Sequence, residues 1–383
     1  MSANKEKIII GNCSGFYGDR LSAAKDMVEG GPIDVLTGDY LAELTMTILY
    51  NQRMKRGEDQ GYVGTFLKQF KDVAKNCEEK NIKIVTNAGG LNPSSMATKI
   101  EEIVQELNLN LKVAYIDGDD LIPRFEELKE AKEPLNNIEK GNSLHDYEKT
   151  PLTANAYFGA WGIKEALDAG ADVVVCPRVT DAAVVIGPAA WKYNWSRDNF
   201  DALAGALAAG HIIECGAQAT GGNYSFFQEV PSFLNIGYPI AEIFEDGSFT
   251  ITKHPGTGGL VSVGTVTAQL LYEIGSPAYV NPDVIGHFDT LKMEQESEDR
   301  VHVSGCRGSS APKSHKVCVN LAGGFRNGTE ILLTGLDIEE KAKLVTDLIF
   351  NNVGGREQFD QVDVQLIRTD HLNPNSNEEA QAS

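Results

Sequence analysis

Arg178 and Asp181 stand three residues apart in RVTDAA, straight after the apolar run Val173–Val175. A guanidinium is a planar, two-pronged donor suited to a carboxylate or phosphate, and a nearby aspartate either shares in acid–base work or simply pins the arginine. Asp39 follows Ile33–Leu36 in TGDYLAEL, and Asp117, Asp119 and Asp120 follow Val113–Ile116 in DGDDL. Two carboxyls at neighbouring strand ends could divide the roles of acid and base, or share a divalent cation. Each could equally cap the helix it precedes, since a negative charge there complements the helix dipole. Asp39, Asp181 and Asp119 are the carboxyls expected to carry chemistry, and Arg178 the anchor for a substrate anion.

Two glycine-rich loops could add main-chain donors. GNCSGFYGDR brings Gly11, Asn12, Ser14 and Gly15 to the end of Ile8–Ile10, where amides can approach an anion at a helix start. Its G-x-x-x-G-x-x-G spacing departs from the dinucleotide fingerprint, and Asp34 sits at the wrong end of the next strand to hold a ribose. Nucleotide binding, an anion or other polar-ligand site and a plain tight turn all remain open. TKHPGTGGLV sets Lys253 beside Thr257 and Gly258, a pairing that suits coenzyme A phosphates or a carboxylate. A hairpin turn explains those glycines but not the lysine. TNAGGLNP contributes Asn87 as a further polar contact.

GHIIECGAQATGGN, residues 210–223, is the densest polar cluster, with Cys215 between Glu214 and Gly216, His211 four residues earlier and Gln218 three later. A thiolate nucleophile needs a base or a helix start beside it, so His211 serves only if the segment is helical. The alternative is an inert buried thiol. His211 and Glu214 are two ligands, not a metal centre, and no metal is assigned.

All these groups need a scaffold, and the pattern supplies one. Five short β-branched runs each stop at a polar signature that opens a helix-like stretch, the mark of strands alternating with helices in a parallel sheet. Ligands bind beyond the carboxyl ends of such strands. Tyr62, Phe66, Phe70, Val73 and Cys77 line one helix face, and Ile100, Ile103, Val104 and Leu107 another, with Ser94 or Ser95 available as its cap after Pro93. Ala154–Ala169 reads as a helix. Residues 121–150 are charged and break the rhythm, as one exposed helix and then a loop, either lid or insertion. Beyond residue 215 come strand-like runs at Ala241–Phe244, Phe249–Lys253, Leu260–Val266, Val301–Val303, Val317–Asn320 and Ile331–Thr334, a hairpin turn at Glu245–Ser248, and a helix over Ile338–Phe350. The expectation is α/β: an open parallel, Rossmann-like sheet over 1–214, a smaller α+β domain over 215–372, and a disordered tail over 373–383.

Composition narrows the class. With 54 acidic against 34 basic residues the formal charge is −20, which disfavours nucleic acid and anionic membrane as partners. No apolar run approaches the ~20 residues of a membrane span, and MSANKEKIII is too short for a signal-peptide core. Six scattered cysteines without a CxxC pair fit a reduced, cytoplasmic protein.

Taken in order, GNCSGFYGDR, TGDYLAELT, TNAGGLNP, GDDL, NAYFGAW, RVTDAA, GHIIECGAQATGG, IGYPIAE and TKHPGTGGLVSVGTV resemble the acyclic terpene utilisation proteins of AtuA type, over roughly Ile8 to Gly308. The resemblance implies a cytoplasmic catabolic protein associated with branched-chain or terpenoid acyl-CoA breakdown. It also implies a small ferredoxin-like partner subunit, because this chain ends too early to hold that domain in full. It carries over no catalytic residues. The function expected is hydration, dehydration or carbon–carbon cleavage on a small carboxylic acid or its coenzyme A thioester, in a homo-oligomer. The rival is a non-catalytic component that binds a ligand or organises an acyl-CoA catabolic complex. No cofactor is assigned.

Overall fold

The structure is a computed structural model that describes residues 6–147, 149 and 151–368; the tail expected over 373–383 lies outside the described residues. The chain divides into two compact units, Met1–Ala322 and Gly323–Ser383.

Strands of the first unit are β1 (Lys7–Asn12), β2 (Val35–Gly38), β3 (Lys83–Thr86), β4 (Val113–Tyr115), β5 (Pro151–Ala156), β6 (Val173–Val175), β7 (Pro239–Phe244), β8 (Phe249–Lys253), β9 (Ala278–Val280), β10 (Ile285–His287), β11 (Lys292–Ser297), β12 (Arg300–Ser304), β13 (Arg307–Ser309) and β14 (Val317–Leu321). Its helices are α1 (Ala23–Gly30), α2 (Glu43–Arg56), α3 (Gly64–Lys80), α4 (Pro93–Glu106), α5 (Phe125–Glu130), α6 (Trp161–Asp168), α7 (Ala183–Lys192), α8 (Phe200–Ile213) and α9 (Val263–Leu270).

Nine strands form one sheet in the order β11-β12-β8-β7-β1-β2-β3-β6-β4. The half from β1 to β4 is parallel, as the five junctions predict. The other half is antiparallel, because β7 pairs with β1 in the opposite sense and β8, β12 and β11 follow as antiparallel neighbours. The sheet is therefore mixed, and strands from both sides of residue 214 share it. The wholly parallel expectation failed because apolar run length records burial on both faces, which β7 and β8 also have.

Side chains alternate across this sheet and divide the core in two. Ile8, Ile10, Val35, Val85 and Val174 face α6, α7 and α8; Leu36, Ile84, Val173 and Val175 face α1, α3 and α4. The expected stripe of Phe66, Phe70, Val73 and Cys77 is the buried side of α3. Asn81 ends that helix in the left-handed conformation and donates its amide to the Cys77 carbonyl. Helix α4 is capped by Asn92, whose side chain accepts from the Ser95 amide, and not by Ser94 or Ser95. The turn expected at Glu245–Ser248 joins β7 to β8, with Gly247 at φ +80.

Three local readings need correction. Pro151–Ala156 is not the start of a helix but strand β5, paired with β14 in a separate two-stranded ribbon; the helix begins only at Trp161. Leu260–Val266 is not a strand. Ser262 and Thr265 exchange capping bonds, at 3.2 Å and 3.0 Å, and start α9 despite the β-branched residues. Ile331–Thr334 carries no strand pairing. In the second unit, the expected helix is α10 (Ile338–Asn352), and Ala342, Val345 and Ile349 line a cavity with Val362 and Val364.

Candidate active site

Parallel pairing in register brings the last residues of β1, β2, β3 and β6 to one edge, and the polar signatures begin there. Asp39 follows β2 and is buried, with its Oδ1 accepting from Asn87 Nδ2 at 2.6 Å and from the Leu41 amide at 3.1 Å. Asn87, one strand across, is itself fixed because its Oδ1 accepts from the Tyr40 amide at 2.8 Å. Burial pushes the Asp39 carboxyl well above the usual carboxylate range; Asp181 and Glu214 push the same way, and Arg178 and Asn87 offset only part of it.

Arg178 is only 2% exposed, although it carries a permanent charge. Its NH1 donates to Asp181 Oδ1 at 3.0 Å, and its guanidinium carbon stacks 4.1 Å from the centre of the Tyr157 ring. Nε, also buried, donates to nothing. The main-chain amide of Arg178 donates to Asp119 Oδ2, which also takes Asn155 Nδ2 at 2.8 Å. Desolvation raises Asp119 to about 6 against those two bonds. Tyr157 and Asn155 arrive on β5 and the residues just beyond it. Tyr157 donates its hydroxyl to Glu43 Oε1 at 2.6 Å, and Lys316 holds the same oxygen at 3.0 Å.

The far wall is the end of α8. Asn12, closing β1, donates Nδ2 to the Ile213 and Glu214 carbonyls at 2.5 Å and 3.0 Å, so it ties helix to strand. Ser14 and Gly15 lie on the same wall: a Cβ on Gly15 would fall 2.4 Å from the Cys215 carbonyl carbon. His211 and Glu214 are both buried on the last turn, Nδ1 3.3 Å from Oε1. Burial raises Glu214 to about 7, with His211 opposing and Asp181 adding to the shift. The segment is thus helical, as a base for Cys215 requires, but the thiol is poorly placed to ionise. Burial and the surrounding Glu214, Asp39, Glu273 and Asp181 all drive its pKa upward. Gln218 stands in the short turn Gly216–Gln218 with a buried, unpartnered Oε1.

One rim thus holds Asp39, Asn87, Asp119, Arg178 and Asp181, with Asn12, Ser14, Gly15, Cys215 and Gln218 beside them. Other expected contacts lie apart. The Lys253 ammonium is fixed between Asp299 Oδ2 at 2.8 Å and the Thr257 carbonyl at 2.9 Å, facing a separate cavity with Lys7, Glu242 and Arg300. Part of the loop after it is tied into the fold: Gly258 gives its amide to Asn235, Gly259 to Ser232, and Thr257 its hydroxyl to His254. In the first loop the Gly15 amide is taken by Asp19 and the Ser14 amide lies 3.3 Å from Asn12 Oδ1. Gly11 is small because Met27 packs on it: a Cβ there would lie 2.5 Å from the sulfur. Close packing explains Gly11, Gly15, Gly258 and Gly259, and the amides of Gly15, Gly258 and Gly259 are already taken within the fold.

Tyr157, Asn155 and Glu43 belong to the cluster without having been singled out for it, whereas the sequence offers His211 and Glu214 only as a base for Cys215 and a two-ligand pair. NAYFGAW and TGDYLAEL contain the first three, but only the pairing of β5 with β14 and the docking of α2 bring them in. Among the described residues, no group of three or more His, Cys, Asp or Glu side chains could hold a metal ion, and no helix is long and apolar enough to cross a membrane.

A family model described as acyclic terpene utilisation family protein AtuA matches residues 8–383. No curated protein and no solved structure matches the chain.

Proposed function

The chain belongs to the acyclic terpene utilisation family, and we propose that within it this protein is a catabolic enzyme moving a proton next to a carbonyl. The substrate is a small carboxylic acid or a branched or terpenoid acyl-CoA, and the step a hydration, a dehydration or a carbon–carbon cleavage. Asp39 carries this reading. Burial beside other acids pushes its carboxyl well above the usual carboxylate range, and Asn87 holds it in one orientation. A carboxyl that holds its proton more tightly in this way suits the role of general acid. Asp181, part-exposed and paired to Arg178, is the complementary base. The vacant Nε–H of Arg178 is the donor for a substrate carboxylate or thioester oxygen.

The test is turnover by wild type and Asp39→Asn across acyl-CoA thioesters and hydroxy acids. A loss of at least about 100-fold in kcat, the usual scale for a missing acid or base, with an unchanged melting temperature, supports the reading. Retained turnover in Asp39→Asn removes it.

A non-catalytic role as an organiser of an acyl-CoA catabolic complex is the second reading. It is favoured by Phe325, Leu332 and Ile367, large apolar side chains left exposed in the second unit, where a small partner subunit or another copy would dock. It predicts acyl-CoA or partner binding without turnover.

A further inference from the structure

Asn155 and Arg178 meet at one atom. Asp119 Oδ2 accepts from Asn155 Nδ2 at 2.8 Å and from the Arg178 main-chain amide at 3.2 Å. An oxygen taking two N–H donors fixes which way the Asn155 amide is turned, nitrogen towards Asp119 and Oδ1 away from it. That Oδ1 is fully buried and accepts from nothing. Two residues on, the Tyr157 amide still donates to the Lys316 carbonyl at 2.9 Å, so the β5–β14 pairing runs on through it. The Tyr157 ring therefore projects to the same side as Asn155. The Arg178 guanidinium rests on that ring, and its Nε is buried and unpartnered as well. The arginine side chain thus crosses one face of this strand, with Asn155 near its root and Tyr157 under its tip. Asp181, 3.0 Å from the guanidinium, is part-exposed and marks the side open to solvent. Gln218, on the far wall of the rim, adds a second buried acceptor in Oε1.

Arg178 Nε–H only donates and Asn155 Oδ1 only accepts, yet the two do not bond to each other. A molecule offering one acceptor and one donor satisfies both. We propose that Asn155 is a specificity-determining residue that selects substrates bearing a hydroxyl: the hydroxyl donates to Asn155 Oδ1 while a carboxylate or thioester oxygen of the same molecule accepts from Arg178 Nε. This rests on the reading of the rim as the substrate site, and it narrows the substrate to a hydroxy acid or a hydroxyacyl thioester. Such a compound is what a dehydration or a carbon–carbon cleavage consumes and what a hydration yields. A ligand without the hydroxyl displaces solvent from Asn155 and leaves Oδ1 with no donor, and a buried polar group left unpaired in this way is the strongest source of discrimination between close analogues.

Calorimetric titration of the whole protein tests this with butyrate, its 2- and 3-hydroxy derivatives and the matching fluoro compounds, each as free acid and as coenzyme A thioester. Fluorine fills nearly the space of a hydroxyl but cannot donate. In wild type at least one hydroxy compound should bind about 10- to 100-fold tighter than both butyrate and its fluoro twin. In Asn155→Leu that ratio should collapse towards one while the affinity for butyrate is kept; a merely structural role for Asn155 would weaken all three alike. Equal affinities in wild type, the result if a water bridges the two groups, overturn the assignment. So does a hydroxyl preference that survives in Asn155→Leu, or binding by none of the probes. If Asn155→Leu fails to fold, the comparison of hydroxy and fluoro compounds in wild type decides alone. A hydroxyl preference in a protein whose Asp39→Asn variant keeps its turnover sinks the acid–base reading only. Equal affinities in a protein whose Asp39→Asn variant loses turnover sink the hydroxyl assignment only.

Discussion

Tyr157 and Arg178 are held together: the arginine's guanidinium carbon sits over the phenol ring, 4.1 Å from its centre, while the phenol's hydroxyl donates to Glu43. Lys316 approaches the same ring at 4.7 Å. The most buried cation of the site is thus steadied by a residue carried on a ribbon outside the main sheet. Tyr157→Phe keeps the ring and removes only the bond to Glu43, with an expected cost of about 1 kcal/mol. Tyr157→Leu removes the aromatic face as well and should cost about 2 kcal/mol more. Urea unfolding of the two variants side by side measures the difference.

Replacing Asp181 strands a buried charge. Asp181→Asn leaves the Arg178 guanidinium without its anionic partner and should cost about 3 kcal/mol or more. Arg178→Lys is not conservative either, since an ammonium cannot both stack on Tyr157 and reach Asp181 with a planar fork. Both variants should melt earlier than wild type by calorimetry, and the double variant Arg178→Met/Asp181→Leu should recover part of the loss.

The buried acids give the stability a definite pH slope. Asp119 and Asp283 are raised to about 6 and Glu214 to about 7, in each case chiefly by burial. Raised groups bind their protons more tightly in the folded chain, so the stability they contribute is whole below the unfolded carboxyl range near pH ~4 and is lost as pH climbs through 6 and 7. Urea midpoints should therefore fall between pH 5 and pH 8. Asp119→Asn should flatten part of that slope at little cost, because both bonds it accepts end on the one oxygen, Oδ2, that an amide can reproduce. Glu43 acts at the other extreme. Burial opposes its charge, but Tyr157 and Lys316 lower it to about 2, so its contribution disappears as pH drops from about 4 towards 2.

Cys215 is expected to be slow. A half-buried thiol among four acids reacts poorly with iodoacetamide at pH 7.5, and mass spectrometry of the alkylated protein should find it largely unmodified under native conditions. Cys215→Ser should retain activity.

Gly15→Ala forces a methyl group into the Cys215 main chain, where backbone cannot yield as a side-chain tip would. It should lower the melting temperature by several degrees, corresponding to about 1–3 kcal/mol of overpacking, and weaken the Asn12 link between β1 and α8.

Much of this architecture is legible in the residue pattern, for a physical reason. Strand ends in a parallel sheet advertise themselves by an abrupt change from β-branched to polar residues, so Asp39, Asn87, Asp119 and Arg178 can be placed before any coordinates. The rest depends on long-range pairing. PLTANA in β5 has little strand propensity and becomes a strand because Val317–Leu321 lies beside it. VSVGTV looks extended and is helical because Ser262 caps it. Lys253 and its glycines read as a ligand loop because residue type shows what a group can donate, but not whether Asp299 or Asn235 has already claimed it. The pairing of His211 with Glu214 is visible as spacing, but its burial is not.

The central strand of the sheet has neighbours of very different age. Ile10 meets Val35 soon after both emerge from the ribosome, whereas Ile8 must wait for Ile243, a delay on the order of tens of seconds at ordinary elongation speeds. Throughout that interval the nascent chain presents an apolar β edge open to pairing with the wrong strand. A stalled or truncated product ending before β7 should thus be a target for chaperones and proteases, and not a partly working enzyme.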